Sequence, residues 1–267
     1  MSFGDPPSTS VRSLPRRDRI AILGGLVGVS VLAWVYLVVL ALRMPAMDAM
    51  AMSEVIRIRP WIAMDFVSMF LMWAIMMVGM MVPSATPMAL IYGAVARKAR
   101  GQGSAIAPTA FFVWGYVAAW TGFSLGATIA QWALDQAALL SPMMVATSPA
   151  LGAGLMIAAG IYQMTPFKSA CLDHCRAPAR FISQHWRPGM LGAFRMGLEH
   201  GAFCLGCCWL LMGLLFFGGV MDLLWIAGIT LFVLLEKLLP FGDRGGRLAG
   251  IGMIATGTGI ALLTILA

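Results

Sequence analysis

Seven apolar runs, each near the roughly 20 residues that a helix needs to cross a bilayer core, constrain this chain more than anything else in it. They cover about Ile20–Leu42, Met64–Pro87, Ile106–Leu134, Ala150–Pro166, Met190–Gly218, Met221–Leu239 and Leu248–Ala267. Only 11% of the residues are charged and mean hydropathy is +0.87, whereas a soluble domain carries about 25% charged residues. Lipid offers no hydrogen bonds to open backbone, so runs of this length are expected as helices. The expectation is an all-α, polytopic transmembrane helical bundle of about seven spans. Residues 1–19 form a basic, disordered cytoplasmic arm in this reading, and residues 20–267 a single transmembrane domain. The first run is too long for a secretory signal and has no small-residue cleavage site with a polar domain behind it.

The basic residues set the expected orientation. Arg16, Arg17 and Arg19, then Arg97, Lys98 and Arg100, then Lys168, Arg176, Arg180 and Arg187, then Arg244 and Arg247 fall between runs that return to one side. Loops 137–148 and 218–221 on the other side carry almost none; loop 43–60, with Arg43, Arg57 and Arg59, breaks the pattern. The positive-inside rule puts the N-terminus in and the C-terminus out, with the bacterial inner membrane as the location. The formal charge of +7 is thus spent on topology and lipid headgroups, and nucleic acid is not an expected partner.

The fifth run carries the chemistry. Within Glu199-His200-Gly201-Ala202-Phe203-Cys204-Leu205-Gly206-Cys207-Cys208-Trp209, positions 200, 204, 207 and 208 share one helix face. Ionisable groups at membrane depth are costly and point to function. Imidazole and thiol favour soft or borderline ions, Cu(I) first and Zn(II) second. Single buried cysteines are ordinary small hydrophobes, but three within five residues beside His200 and Glu199 are expected as metal ligands. At a rise of 1.5 Å per residue, His200 and Cys208 lie about 12 Å apart, too far for one ion. His200 with Cys204, and Cys204 with Cys207 or Cys208, are the workable pairs. Gly201 and Gly206 are small enough to admit a neighbouring helix.

Two further sets are candidates. The loop 168–189, expected on the cytosolic side, holds Cys171-Leu172-Asp173-His174-Cys175, a C-x3-C half-site with an internal His174; His185 is a further donor. The second run places Met72, Met76 and Met80 on one stripe, with Met69 one turn earlier and Met77 and Met81 beside it. Met44, Met47, Met50 and Met52 precede it in the outer loop. Thioethers select Cu(I), although a methionine stripe is also a common way to fill a core. Pro83 and Pro87 free backbone carbonyls that must face protein or a cavity. Glu236 is expected to pair with Lys237 or Arg195, and Asp65 and Asp135 to be interfacial.

The blocks Trp73-Ala74-Ile75-Met76-Met77 with Met80-Met81-Val82-Pro83, Tyr162-Gln163-Met164-Thr165-Pro166-Phe167-Lys168 through Cys175-Arg176, Met196-Gly197-Leu198-Glu199-His200-Gly201 through Trp209, and Glu236-Lys237 resemble a bacterial family of predicted metal-binding integral membrane proteins. The resemblance spans about residues 60–260. It implies metal binding through Cys171, Cys175, His200, Cys204, Cys207 and Cys208. The favoured function is therefore binding of a soft metal, Cu(I) ahead of Zn(II), for transport or delivery, with a metal-donating or metal-accepting protein and membrane lipid as partners. A membrane thiol–disulfide oxidoreductase, and a non-catalytic subunit or assembly factor of a membrane complex, are the alternatives. No G-x4-G-K-[ST] loop supplies ATP binding, and no C-x-x-C-H attaches haem. No catalytic residue is assigned.

Overall fold

The computed structural model describes residues 14–51, 61–101, 107–141, 144–239 and 242–266. These residues form ten helices: α1 (Arg16–Ala51), α2 (Ala63–Gly101), α3 (Thr109–Gln136), α4 (Pro149–Gln163), α5 (Pro166–Arg176), α6 (Pro178–His185), α7 (Gly189–Gly213), α8 (Leu215–Gly218), α9 (Leu223–Leu238) and α10 (Gly242–Leu266). An isolated bridge between Leu140 and Ala146 is the one piece of β-pairing among the described residues. The all-helical expectation holds.

Among the described residues five helical stretches, against the seven expected, are long and apolar enough to cross a membrane: Arg16–Arg43, Ala63–Ala99, Thr109–Gln136, Gly189–Gly218 and Arg244–Leu266. A sixth is available if α4 and α5, bent by 64° at their junction, count as one span. The helix α9 has 16 residues, about 24 Å of rise, which is short of a typical bilayer core. The outward faces of α1 and α10, including Val31, Leu32, Leu262 and Leu263, are exposed and apolar, as helices facing lipid are.

Two of the expected loops are helical instead. Helix α1 continues through Ala51, so the stretch after Arg43 begins as helix; the side chains of Met44, Met47 and Met50, and all of Met52, lie outside the described residues. The segment expected as a cytosolic loop at 168–189 folds as α5 and α6. The chain breaks at Met164, where Thr165 caps the new helix by accepting from the Lys168 N–H, and Pro166 sits at its first position, where no N–H is needed. Leu172, Phe181 and Ile182 are buried while the basic residues between them stay largely outside. Of the charges that make this stretch resemble a loop, Arg180 lies on the exposed face, Arg176 is half-buried and Lys168 is buried.

Glycine sets the closest helix contacts. A Cβ on Gly115 would lie inside the Phe194 carbonyl, and one on Gly197 inside that of Phe112, so α3 and α7 meet backbone to backbone. At Gly201 a Cβ would stand 2.6 Å from the Ala119 Cβ, which is the close approach expected there. Helices α4 and α10 meet in the same way at Gly160, Gly250 and Gly257. In α2, Pro83 removes the N–H that would bond the Gly79 carbonyl. The Trp34 indole N–H takes its place at 3.3 Å, tying α1 to α2 at the break.

Helix α5 is fastened to α9 by a buried ion pair. Lys168 Nζ bonds Glu236 Oε1 and Gln163 Oε1, and both charged side chains are 3% exposed. Arg176 adds bonds to the Glu236 and Leu239 carbonyl oxygens. The expected pairing of Glu236 with Lys237 or Arg195 is thus wrong. Successive residues on a helix point about 100° apart, so Glu236 turns to α5 while Lys237 turns to α2 and α7.

Candidate metal centre

The face of α7 predicted by spacing is the face that is buried. His200 is 3% exposed, Cys204 and Cys207 are 1% and Cys208 is fully covered. The close α3–α7 seam brings Tyr116 onto this face: its hydroxyl lies 3.0 Å from Cys204 Sγ and 3.0 Å from the Met81 carbonyl oxygen. That hydroxyl has one proton and serves one of the two as donor at a time. The Cys207 and Cys208 thiols both donate to the Cys204 carbonyl oxygen at 3.0 Å.

Helix α5 supplies the second set of thiols. Its C-x3-C spacing places Cys171 and Cys175 one turn apart, and both pack on the cluster that holds Cys204, Cys207 and Cys208. Cys171 Sγ lies where a side chain on Gly206 would be, 2.8 Å from the position its Cβ would take. The neighbour that Gly206 admits is therefore α5, in a stretch whose composition predicts a loop. All five cysteines are free thiols gathered from two helices.

Lys237 was missing from the sequence-based site. It is 8% exposed, and its ammonium donates to Cys204 Sγ at 2.8 Å and to Ser84 Oγ at 3.1 Å. Ser84 follows Pro83 in α2, and its hydroxyl also donates to the Met81 carbonyl oxygen at 2.8 Å. A lysine in the apolar run of α9 was a signal in itself; reading it as a partner of Glu236 hid it.

The remaining candidates have neighbours of their own. His174 stacks on Phe203 with centroids 4.2 Å apart and sets Nδ1 2.8 Å from the Ala170 carbonyl oxygen. Glu199 Oε1 pairs with Arg187 at 2.8 Å, beside the cluster and not in it, and its buried Oε2 has no partner. His185 stacks on Phe181. His200 lies against the rings of Phe112, Tyr116 and Phe181, and its buried Nδ1 has no hydrogen-bond partner. Met72, Met76 and Met80, with Met77 and Met81, are buried in the same apolar core as the α7 cysteines. Asp135 accepts from the Trp61 indole at 2.8 Å. It borders a cavity of about 320 Å³ with Asp65, Met69, Gln131 and Met144 at the start of α2.

Among the described residues, no three Cys, His, Asp or Glu side chains stand arranged to hold a metal ion. The sulfurs are neighbours, with an ammonium and a phenol hydroxyl already seated on Cys204.

Residues 70–260 match the PpoB2 family, described as a copper chaperone. The chain belongs to this copper chaperone family. The matched stretch contains every cysteine, His200, Tyr116, Ser84 and Lys237. No curated protein and no solved structure matches the chain. Copper is the metal associated with the family, which agrees with the softness of the sulfur donors gathered between α5 and α7.

Proposed function

We propose that this chain is a multi-pass protein of the bacterial inner membrane that binds Cu(I) through its buried thiols and delivers it to a metal-accepting protein. The ligands in this reading are Cys204, Cys207, Cys208, Cys175 and Cys171. His200 offers its unpartnered Nδ1 at one edge, and the thioethers of Met72, Met76 and Met80 line the adjoining core. The packing of Cys171 and Cys175 of α5 on the core that holds Cys204, Cys207 and Cys208 of α7, with Cys171 Sγ seated at Gly206, in a chain of a copper chaperone family, carries the reading. Thiols from separate helices let a client thiol replace one ligand at a time. His174, stacked on Phe203, and Glu199, paired through Oε1 with Arg187, stand outside this ligand set. We place the N-terminus in the cytoplasm on the strength of its basic loops, with the short α9 completing seven crossings.

The test is copper stoichiometry. The full chain, purified in detergent under reducing conditions, is loaded with Cu(I), desalted and assayed for copper per chain, beside Cys204→Ser and Cys175→Ser. Wild type is expected to retain copper and both variants to retain less. If wild type retains no copper yet its thiols cross-link under oxidant, the membrane thiol–disulfide oxidoreductase takes its place. Equal copper in all three proteins would remove these cysteines from the site.

A further inference from the structure

We infer that Lys237 is the counter-ion of the bound copper and the residue that makes the site prefer a monovalent over a divalent ion. This rests on the copper reading above and assigns a role to a residue outside its ligand set.

The groups around Lys237 are few. Its ammonium touches Cys204 Sγ from α7 and Ser84 Oγ from α2, with the Tyr116 hydroxyl of α3 on the same sulfur. On its own helix the adjacent carboxylate, Glu236, is taken by Lys168 of α5. The other carboxylate nearby in sequence to the cluster, Glu199 of α7, is paired with Arg187. Among the described residues, no carboxylate forms an ion pair with Lys237. The Lys168–Glu236 pair cancels itself, and the Lys237 ammonium is the cation in contact with Cys204 Sγ. A buried charge needs a partner.

The charge count then discriminates between ions. When two thiols ligate an ion, each releases its proton to solvent. Two thiolates about Cu(I) carry one net negative charge, which the Lys237 ammonium neutralises. The same two thiolates about Zn(II) are neutral already, and the ammonium is left without a partner in a low-dielectric core. Zinc also wants four donors in a tetrahedron, and the selectivity holds where the two added donors are neutral, as the His200 imidazole is. Lys237 thus favours the ion with the smaller charge.

The experiment compares Lys237→Met, Lys237→Gln and Lys237→Arg with wild type in the full, detergent-purified chain. Cu(I) and Zn(II) dissociation constants are read by competition with chromogenic chelators, and folding is checked by size-exclusion profile and helical circular dichroism. Removing the charge is expected to weaken Cu(I) binding on the order of a hundredfold. Zn(II) binding should be unchanged or tighter, and Lys237→Arg should stay within about tenfold of wild type for Cu(I). Two charge-removing variants are included so that one folded protein suffices; if neither folds, the selectivity of Lys237→Arg decides, since retained preference supports the role and its loss overturns it. Wild-type Cu(I) affinity in a folded, charge-free variant, or equal loss of both metals, overturns the inference while leaving the copper reading standing. A wild type that binds no Cu(I) fails the copper reading first, and this inference with it.

Discussion

Glu236→Gln tests whether the buried ion pair holds the two thiol-bearing helices together. Lys168 and Glu236 side chains are each 3% exposed, so solvent screens them little. Removing one partner of such a pair costs about 3–5 kcal/mol, because the remaining charge stays buried without an opposite. The glutamine oxygen still accepts a hydrogen bond from Lys168, which recovers about 1 kcal/mol. The net loss expected is therefore about 2–4 kcal/mol. Lys168 retains Gln163 as an acceptor, and the Arg176 bonds to backbone oxygens of Glu236 and Leu239 do not depend on the substituted carboxylate. The assay is thermal unfolding in detergent followed by helical circular dichroism. Glu236→Gln should melt several degrees below wild type, and Lys168→Met/Glu236→Gln should regain most of the loss, since neither charge is then stranded. Faster alkylation of Cys175 should accompany the single substitution as α5 loosens. An unchanged melting point for Glu236→Gln, or a double variant as unstable as the two single losses added together, would refute the claim that this pair is buried and coupled.

Gly197→Val should open the α3–α7 seam, since its Cβ would lie inside the Phe112 carbonyl; a loss of at least about 1–3 kcal/mol is expected by melting. Gly213→Ala, where nothing lies within 4 Å of the new Cβ, is the control and should be neutral or slightly stabilising. Trp34→Phe leaves the Gly79 carbonyl at the Pro83 break without its 3.3 Å donor. A loss of about 1 kcal/mol is expected, checked by the same melting curves.

Periodicity made the α7 face legible. A helix repeat puts His200, Cys204, Cys207 and Cys208 on one side, and the structure buries that side. The methionine stripe of α2 was legible as a buried face for the same reason. What faces α7 was not legible. Lys168, Arg176, Arg180 and Arg187 gave residues 168–189 the composition of a loop, while the sparse apolar positions Leu172, Phe181 and Ile182 made two short amphipathic helices. The neighbours of His174 and Glu199 were not legible either: Phe203 and the Ala170 carbonyl meet His174, and Arg187 meets Glu199. Residue type alone does not reveal that a donor is already engaged. Lys237 shows the opposite error. Its adjacency to Glu236 suggested a self-contained pair, yet neighbours along a helix diverge, and the true partner of Glu236 lies 68 residues away. Once Lys168 has claimed the carboxylate, the ammonium of Lys237 has only sulfur and hydroxyl groups to meet. The ammonium that meets Cys204 therefore comes from a residue whose position beside Glu236 disguised it.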